Sequence, residues 1–523
     1  MEIEIRELVK KLSSARKLDK SKAERIKTEW AKRYNRTIPL SSEILAASSP
    51  AEKKKIVRAL VTKPTRTMSG VSVIAVMTKP APCPGKCIYC PTSKIAPKSY
   101  TGHEPSAMRA LRNEFDPYRI VQNRLKQLHN VGHTTNKNEV IIQGGTFTAL
   151  PWNYQYQFVK GIFDALNQFE CCTRENPCKK HKARDLKTSQ KINEAADNRV
   201  VSLIVETRPD FCTKKHIQQM LMLGATRVEL GLQSVYDDIL KGVKRGHDVE
   251  AAKKAIKDLK NAGFKVDLHV MLGLPGSTKK KDIEMFRILF SDEGLKPDGL
   301  KIYPCAVLKG AKLHDIWKAG NYKPVNDRYI MDVLKEAKTS YIPEYVRIKR
   351  IMRDIPSNLV EAGYKSLNLR QMLFNEMQKE GKTCRCIRCR EIGHRYKNEG
   401  KLPKNVELLT FKYPASCGTE YFISFEDKKQ GILLGFARLR IANGKAFLRE
   451  LHVYGLAAPL TKIKSFALVV QHKGLGKKLL AEAEKIAKKN GIKELLVLSG
   501  AGVKKYYEMT GYLRKGYYMA KSL

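Results

Sequence analysis

Between residues 71 and about 340 the chain repeats one unit, a short apolar run followed by an amphipathic stretch, and nothing else narrows its fold so far. The apolar runs lie at 71–77, 140–143, 200–206, 227–232, 266–272 and 299–303, with helical patterns such as 250–262 and 281–291 between them. Repeated strand, helix, strand means parallel β/α units, because a parallel neighbour is reached only through a crossover. Six such units predict an α/β fold with a partial or full (β/α) barrel, whose chemistry sits at the C-terminal ends of the strands. Directly after the first run come Cys83, Cys87 and Cys90 in the pattern C-x3-C-x2-C, with Tyr89 before the last cysteine. Three thiolates on one short loop suit three irons of a 4Fe-4S cluster, leaving the fourth iron open for a bidentate ligand. A zinc knuckle with a distant fourth ligand is the alternative.

Twelve cysteines in 523 residues are too few and too clustered for a disulfide scaffold, and in a reducing compartment they favour metal sites. The first twenty residues mix both charge signs and hold no apolar core, which argues against a secretory signal. No apolar run approaches the ~18 residues of a membrane span, so a cytoplasmic protein without a membrane partner is expected.

The cysteine loop at the end of a first barrel strand resembles the radical S-adenosylmethionine (SAM) superfamily. That resemblance implies that the open iron binds the amino and carboxylate groups of SAM, whose reductive cleavage yields a 5′-deoxyadenosyl radical. Gly144-Gly145-Thr146 follows the second run, where glycines let backbone approach a ligand, and is similar to the superfamily's loop for the SAM amino group. Glu206-Thr-Arg-Pro209, Glu229-x-Gly231-x-Gln233-Ser234, Arg245-Gly-His247, Asp267 and Gly273-Leu-Pro-Gly276 then follow in order. Together they resemble the branch typified by oxygen-independent coproporphyrinogen oxidase, which gives Glu206, Gln233, Arg245 and Asp267 SAM-contacting roles.

A second cysteine group, Cys384, Cys386 and Cys389, suits a structural zinc, with His394 as the nearest candidate for a fourth ligand and a second iron-sulfur cluster as the alternative. Cys171, Cys172, Cys178 and His181 form a third group in a polar insertion, readable as a metal site or as free cysteines. From about 405 the pattern changes to adjacent strands at 421–426, 431–440 and 446–454, a helix from Gly474 and a strand at 494–498, an α+β domain. Gln471-x-x-Gly474-Leu475-Gly476-Lys477 opens that helix, and glycines there expose backbone N–H groups at a positive helix end, a cradle for pyrophosphate. With Glu450-Leu451-His452-Val453-Tyr454 before it and Tyr506-Tyr507 after it, the segment resembles the Gcn5-related N-acetyltransferase fold. The resemblance implies that Glu450–Val453 hold the acetyl and pantetheine arm of acetyl-CoA and that Leu475–Lys477 hold its pyrophosphate, with Gln471, Gly474 and Gly476 among the cofactor-binding candidates. It makes Tyr506 and Tyr507 catalytic candidates, Tyr507 at the thioester end.

A radical SAM barrel joined through a cysteine-rich linker to an acetyltransferase resembles the catalytic subunit of the Elongator complex, the tRNA uridine acetyltransferase family, in an archaeal-like single-chain form. The expected domains are a basic helical tRNA-binding segment (1–70), the radical SAM domain (71–340), the zinc-binding linker (341–400) and the acetyltransferase domain (401–523). The family implies transfer of a carboxymethyl group to C5 of the wobble uridine, with an external electron donor. It also singles out Lys137 as a contact and catalytic candidate for acetyl-CoA on the barrel side. Charge agrees with an RNA partner. Of the net +46, residues 1–70 carry +10 and residues 401–523 carry +14, so both ends are dense in positive charge. The N-terminal helices, the run from Arg347 to Arg353 and the arginines around Cys384–Cys389 are the expected phosphate contacts. The rival reading is a protein lysine acetyltransferase with a structural SAM domain, which calls for an acidic peptide pocket. A homodimer and other Elongator-type subunits both stay open as partners.

Overall fold

Apolar residues at helical spacing, with lysine and arginine on the other faces, fold the N-terminus into four helices, α1 Glu2–Ser14, α2 Lys20–Arg33, α3 Ser41–Ala46 and α4 Pro50–Leu60. Asp19 caps α2 by accepting from the Lys22 amide, and Ser49 and Glu52 cap α4 reciprocally. Leu8, Leu12, Ile26, Trp30, Ile44 and Ile56 form their common core. The computed structural model describes residues 2–61, 69–169, 183–366, 368–454 and 474–523. The insertion with Cys171, Cys172, Cys178 and His181, and Gln471, lie outside the described residues.

The repeated unit becomes a parallel sheet of seven strands. These are β1 Ser72–Met77, β2 Lys137–Gln143, β3 Arg199–Thr207, β4 Arg227–Gln233, β5 Lys265–Leu272, β6 Gly299–Pro304 and, beyond a short β7 Val307–Leu308, β8 Arg347–Ile351. They pair in the order β1-β2-β3-β4-β5-β6-β8, and β1 and β8 are not joined, so the barrel is partial and open. β9 Val360–Ala362 pairs only with β7. The strand period of two sorts the residues. On β5, Val266, Leu268, Val270 and Leu272 enter the apolar core, whereas Asp267 and His269 on the opposite face meet charged groups of neighbouring strands.

β8 corrects one expectation. The run from Arg347 to Arg353 is an edge strand and its following loop, and its cations Arg347 and Lys349 are neutralised inside the fold, whereas Arg350 pairs with Asp354 at the surface. Arg347 bonds Glu391 at 2.8 Å and Tyr454 at 2.7 Å, Lys349 meets Asp267 at 2.9 Å, and Arg353 reaches Ser99 at 3.2 Å. Arg347 and Lys349 hold the barrel together and are not turned outward to phosphates.

Helices Leu369–Lys379, Ile387–Arg390 and Ile392–Glu399 then lead to a second sheet. Its strands are β10 Glu407–Ala415, β11 Gly418–Asp427, β12 Ile432–Ala442, β13 Lys445–Val453, β14 Glu494–Val497, β15 Leu513–Lys515 and β16 Tyr518–Ser522, in the order β10-β11-β12-β13-β14-β16-β15. Helix Leu475–Lys489 buries Leu479, Leu480, Ala483 and Ala487. A buried ion network clamps this domain to the barrel: Asp298, just before β6, pairs with Arg449 at 2.6 Å, and Glu420 pairs with Arg449 at 2.6 Å and Arg440 at 3.0 Å. Among the described residues no helix is long and apolar enough to cross a membrane.

Candidate active sites at the two ends of the barrel

At the C-terminal ends of the strands a cavity of about 140 Å³ is lined by Cys83, Cys87 and Cys90 together with Gly144, Gly145, Glu206, Gln233 and Arg245. Thr146 Oγ1 lies 3.5 Å from Cys83 Sγ. Arg245 is the organising cation: its Nη1 donates to Cys87 Sγ at 3.4 Å while Nη2 and Nε donate to the Gly231 carbonyl at 2.5 and 3.2 Å. Arg208 Nη1 stands 4.0 Å from the same sulfur. A hydrogen bond from Cys90, and then the Arg245 charge, bring the Cys87 thiol down to about 4. Three thiols with adjacent guanidinium groups therefore fit a cluster that requires thiolates. The side-chain oxygens of Gln143 and Gln233 are buried without a hydrogen-bond partner, and both residues line the cavity, a polar lining suited to a polar ligand such as SAM.

Asp267 does not join them. It sits lower on the inner face, paired with Lys349 at 2.9 Å and near Arg227 at 3.8 Å, outside the cavity lining. On β5 it is His269, two residues on, that lines the cavity. Glu206 is engaged by Lys301 at 2.7 Å. Arg208, His269, Lys301 and Tyr303 are site residues to which the sequence reading gives no role. For His269, Lys301 and Tyr303 the signal is a polar residue at every second position of otherwise apolar strands, which marks a polar barrel interior, whereas Arg208 lies just past the end of β3.

A second cavity, of about 640 Å³, opens at the other end of the same strands. Lys137 of β2, Ser202 of β3, Arg227 of β4 and Lys265 of β5 line it from the barrel side, whereas Gln143, Glu206, Gly231 and His269 of those strands line the first. Six residue steps of ~3.3 Å separate Lys137 from Gln143, so the two cavities are roughly 20 Å apart along the barrel. From the other side come Glu450, Leu451, His452, Val453, Gly474, Leu475, Gly476, Lys477, Tyr506 and Tyr507. Gly474 takes a left-handed φ of 80° as the cap of helix Leu475–Lys489, whose first amides line the cavity. Tyr506 Oη is buried with no hydrogen-bond partner, and a Cβ on Gly476 would lie 2.9 Å from it. Tyr507 packs edge-on between Tyr506 and Tyr512. Burial lowers the Lys137 pKa, with Arg199 adding to it, and burial beside Arg227 brings Lys265 down to about 7 against the pull of Glu450. Glu450 is held by Lys265 and by Arg438 at 2.8 Å. An unpartnered hydroxyl, a helix N-terminus and a lysine facing one space fit a thioester with a phosphorylated tail.

Cys384, Cys386 and Cys389 hold their thiols within 4.8 Å of one another. Mutual hydrogen bonds keep Cys386 well below the thiol range, and Lys338 donates to Cys389 at 3.5 Å. His394 is not in that cluster. It lines the adjoining cavity of about 760 Å³, held neutral by burial with a pKa of about 4. The same cavity is crowded with cations, among them Arg370, Arg385, Arg388, Lys428 and Lys429. Burial, and then the Arg388 charge, depress Arg370 to about 10.

Comparison with known proteins assigns each part. Residues 1–68 match the ELP3 N-terminal domain, 81–289 the Radical SAM superfamily, 297–379 the Radical_SAM C-terminal domain and 387–512 the Acetyltransferase (GNAT) family. The chain is 46% identical to the tRNA uridine(34) acetyltransferase of Methanocaldococcus infernus, over 99% of this chain and 98% of that protein. It is 40% identical to Elongator complex protein 3 of Schizosaccharomyces pombe, over 93% and 91% of the two chains. A solved structure of archaeal Methanocaldococcus infernus Elp3 lacking residues of its N-terminus superimposes with a TM-score of 0.77 at 42% identity, covering 87% of this chain and all of that one.

Proposed function

The chain belongs to the family of tRNA uridine(34) acetyltransferases and Elongator complex protein 3, and from that premise we propose that it attaches a carboxymethyl group to C5 of the wobble uridine of tRNA. The observation that carries the reading is the pair of cavities on one set of strands, one built of thiols and unpartnered amides, the other of a helix N-terminus, Lys137 and Tyr506. Cys83, Cys87 and Cys90 would hold a 4Fe-4S cluster, Arg245 favouring the thiolate of Cys87, and Gly144–Thr146, Gln233 and Arg245 would position SAM. With both bound, the site would supply a deoxyadenosyl radical able to take a hydrogen atom from the acetyl methyl once the acetyl group, received in the second cavity roughly 20 Å away, has been brought to it, so that the acetyl carbon can join C5. The amides at Gly474 to Lys477 receive the pyrophosphate of acetyl-CoA, Tyr506 donates to its thioester end, and Lys137 faces it from the barrel. Hydrolysis of the thioester leaves 5-carboxymethyluridine.

For RNA, the basic N-terminal helices and the cation-lined cavity beside Cys384, Cys386 and Cys389 are the contacts, since neutralising phosphates supplies most of the affinity. The three linker thiols hold a structural zinc that fixes this cavity, with Lys338 donating from the next shell. A wobble base in a single-stranded loop can be turned out into a pocket.

The test is anaerobic reconstitution of the cluster, followed by tRNA, SAM, acetyl-CoA and a reductant, with nucleosides read by mass spectrometry. Carboxymethyluridine that disappears when Cys83, Cys87 and Cys90 are replaced by alanine is the expected result. Acetyl-lysine on a protein with no modified uridine would overturn it.

A further inference from the structure

Glu229 on β4 and His269 on β5 are neighbours on the inner face of the barrel, with His269 Nε2 3.1 Å from Glu229 Oε2. The same carboxylate receives Lys301 from β6 and, at 3.2 Å, Lys349 from β8. Burial opposes its charge, yet those two ammonium groups hold Glu229 well below the usual carboxylate range. An ionised carboxylate only accepts, so Nε2 is the donor to it, and in the neutral tautomer of the ring the lone pair is then on Nδ1. Nδ1 makes no hydrogen bond among the described residues, and the ring, edge-on to Tyr303 at 5.5 Å, lines the cavity of the three cysteines. Glu206 brings the ligand atoms of a carboxylate–carboxylate–histidine group within 4.8 Å, the spacing of a metal site. The ammonium of Lys301, 2.7 Å from Glu206 and also on Glu229, already fills the cationic position between these carboxylates.

Resting on the functional reading above, we propose that His269 is the base that takes the C5 proton of the target uridine and that Glu229 is its positioning residue. Joining the acetyl carbon to C5 forms one C–C bond and leaves an unpaired electron at C6. Breaking C5–H then gives the proton to His269 Nδ1. Of the three electrons concerned, two restore the C5=C6 double bond and one passes to the oxidised iron–sulfur cluster, the one-electron acceptor of this cavity. Without the base the chain would still cleave SAM and activate acetyl-CoA, but the uridine adduct would not be resolved.

The test uses the full chain with its cluster reconstituted, SAM, tRNA and trideuterated acetyl-CoA, comparing wild type with His269→Gln, His269→Ala and Glu229→Gln. The expected result is unchanged SAM affinity, deuterium still delivered into 5′-deoxyadenosine, and a ratio of carboxymethyluridine to 5′-deoxyadenosine lowered roughly 100-fold in the His269 variants. Added imidazole should restore part of the product to His269→Ala, and Glu229→Gln should fall between the two. A ratio equal to wild type, or loss of SAM binding together with 5′-deoxyadenosine, would overturn the proposal. Independently of turnover, diethyl pyrocarbonate should acylate His269 in the cofactor-free chain, and an unreactive ring would overturn the open Nδ1. A wild type that makes no carboxymethyluridine overturns the functional reading itself, whereas one that makes it as poorly or as well as His269→Ala overturns the base alone.

Discussion

Gly231 shows how one missing carbon organises the thiol cavity. Its carbonyl receives two nitrogens of Arg245, and a Cβ there would lie 2.6 Å from Arg245 Nη2 and 2.9 Å from Gln233 Nε2. Gly231→Ala therefore displaces two side chains that line the thiol cavity and withdraws the guanidinium from Cys87. Cluster affinity should fall roughly 10- to 100-fold, as for other losses of a partner behind a metal ligand, with little change in melting temperature. Iron content after gel filtration reads the first and circular dichroism the second. At the other end of the barrel, His452 is stacked on Phe436, and burial lowers its pKa to about 4 from 6.5. Its folded pKa is depressed, so the unfolded chain binds the proton first. Stability from this residue is full above pH 6.5 and declines as pH falls from 6.5 toward 4, by at most about 1.4 kcal/mol per pH unit. Melting temperature against pH should lose part of that slope in His452→Phe, and an identical slope would place the histidine in water.

Among the elements, helix Leu475–Lys489 meets the second cavity at its first turn, where Gly476 lets Tyr506 close over the backbone. Gly476→Ala pushes against the Tyr506 hydroxyl while leaving the apolar face of the helix intact. Affinity for acetyl-CoA should drop about tenfold by calorimetry, a loss near 1.4 kcal/mol, and SAM binding should not change. This helix start was legible because glycine spacing and the preceding strand have a direct physical meaning. β1 to β6 were legible for the same reason: their outward faces are apolar runs, and each expected run overlaps a strand. β8 was not, because Arg347 and Lys349 alternate with isoleucine and read as a charged surface. Only the presence of Glu229, Asp267 and Glu391 on other elements makes those cations internal, and no local pattern announces partners more than 40 residues away. Asp267 was misplaced by the same blindness, since a strand position says which face a residue takes but not how deep in the barrel it lies.

At the scale of the molecule, barrel and acetyltransferase share one apolar core and a buried ion network. Asp298, Arg449, Glu420 and Arg440 are each no more than 1% exposed in their side chains. Removing one partner strands a charge in the interior, and Asp298→Asn should cost about 3–5 kcal/mol. Calorimetry should show one transition in the wild type and a lower, split transition in the variant, the two domains then melting separately. The outer charge has the opposite fate, remaining unpaired for a partner. Lys54 and Lys55 on α4 are exposed, make no ion pair among the described residues, and belong to the +10 of the first seventy. If they neutralise phosphates, each contact released by Lys54→Glu or Lys55→Glu should lower the slope of log affinity against log salt by about one, uniformly across tRNA sequences. The same reversal at Lys349 should unfold the barrel interior instead, because that cation already faces Glu229 and Asp267. Fluorescence anisotropy over a salt series separates the cases: a reduced slope with the melting temperature kept marks an RNA contact, and an unchanged slope removes the N-terminal helices from the RNA-binding surface.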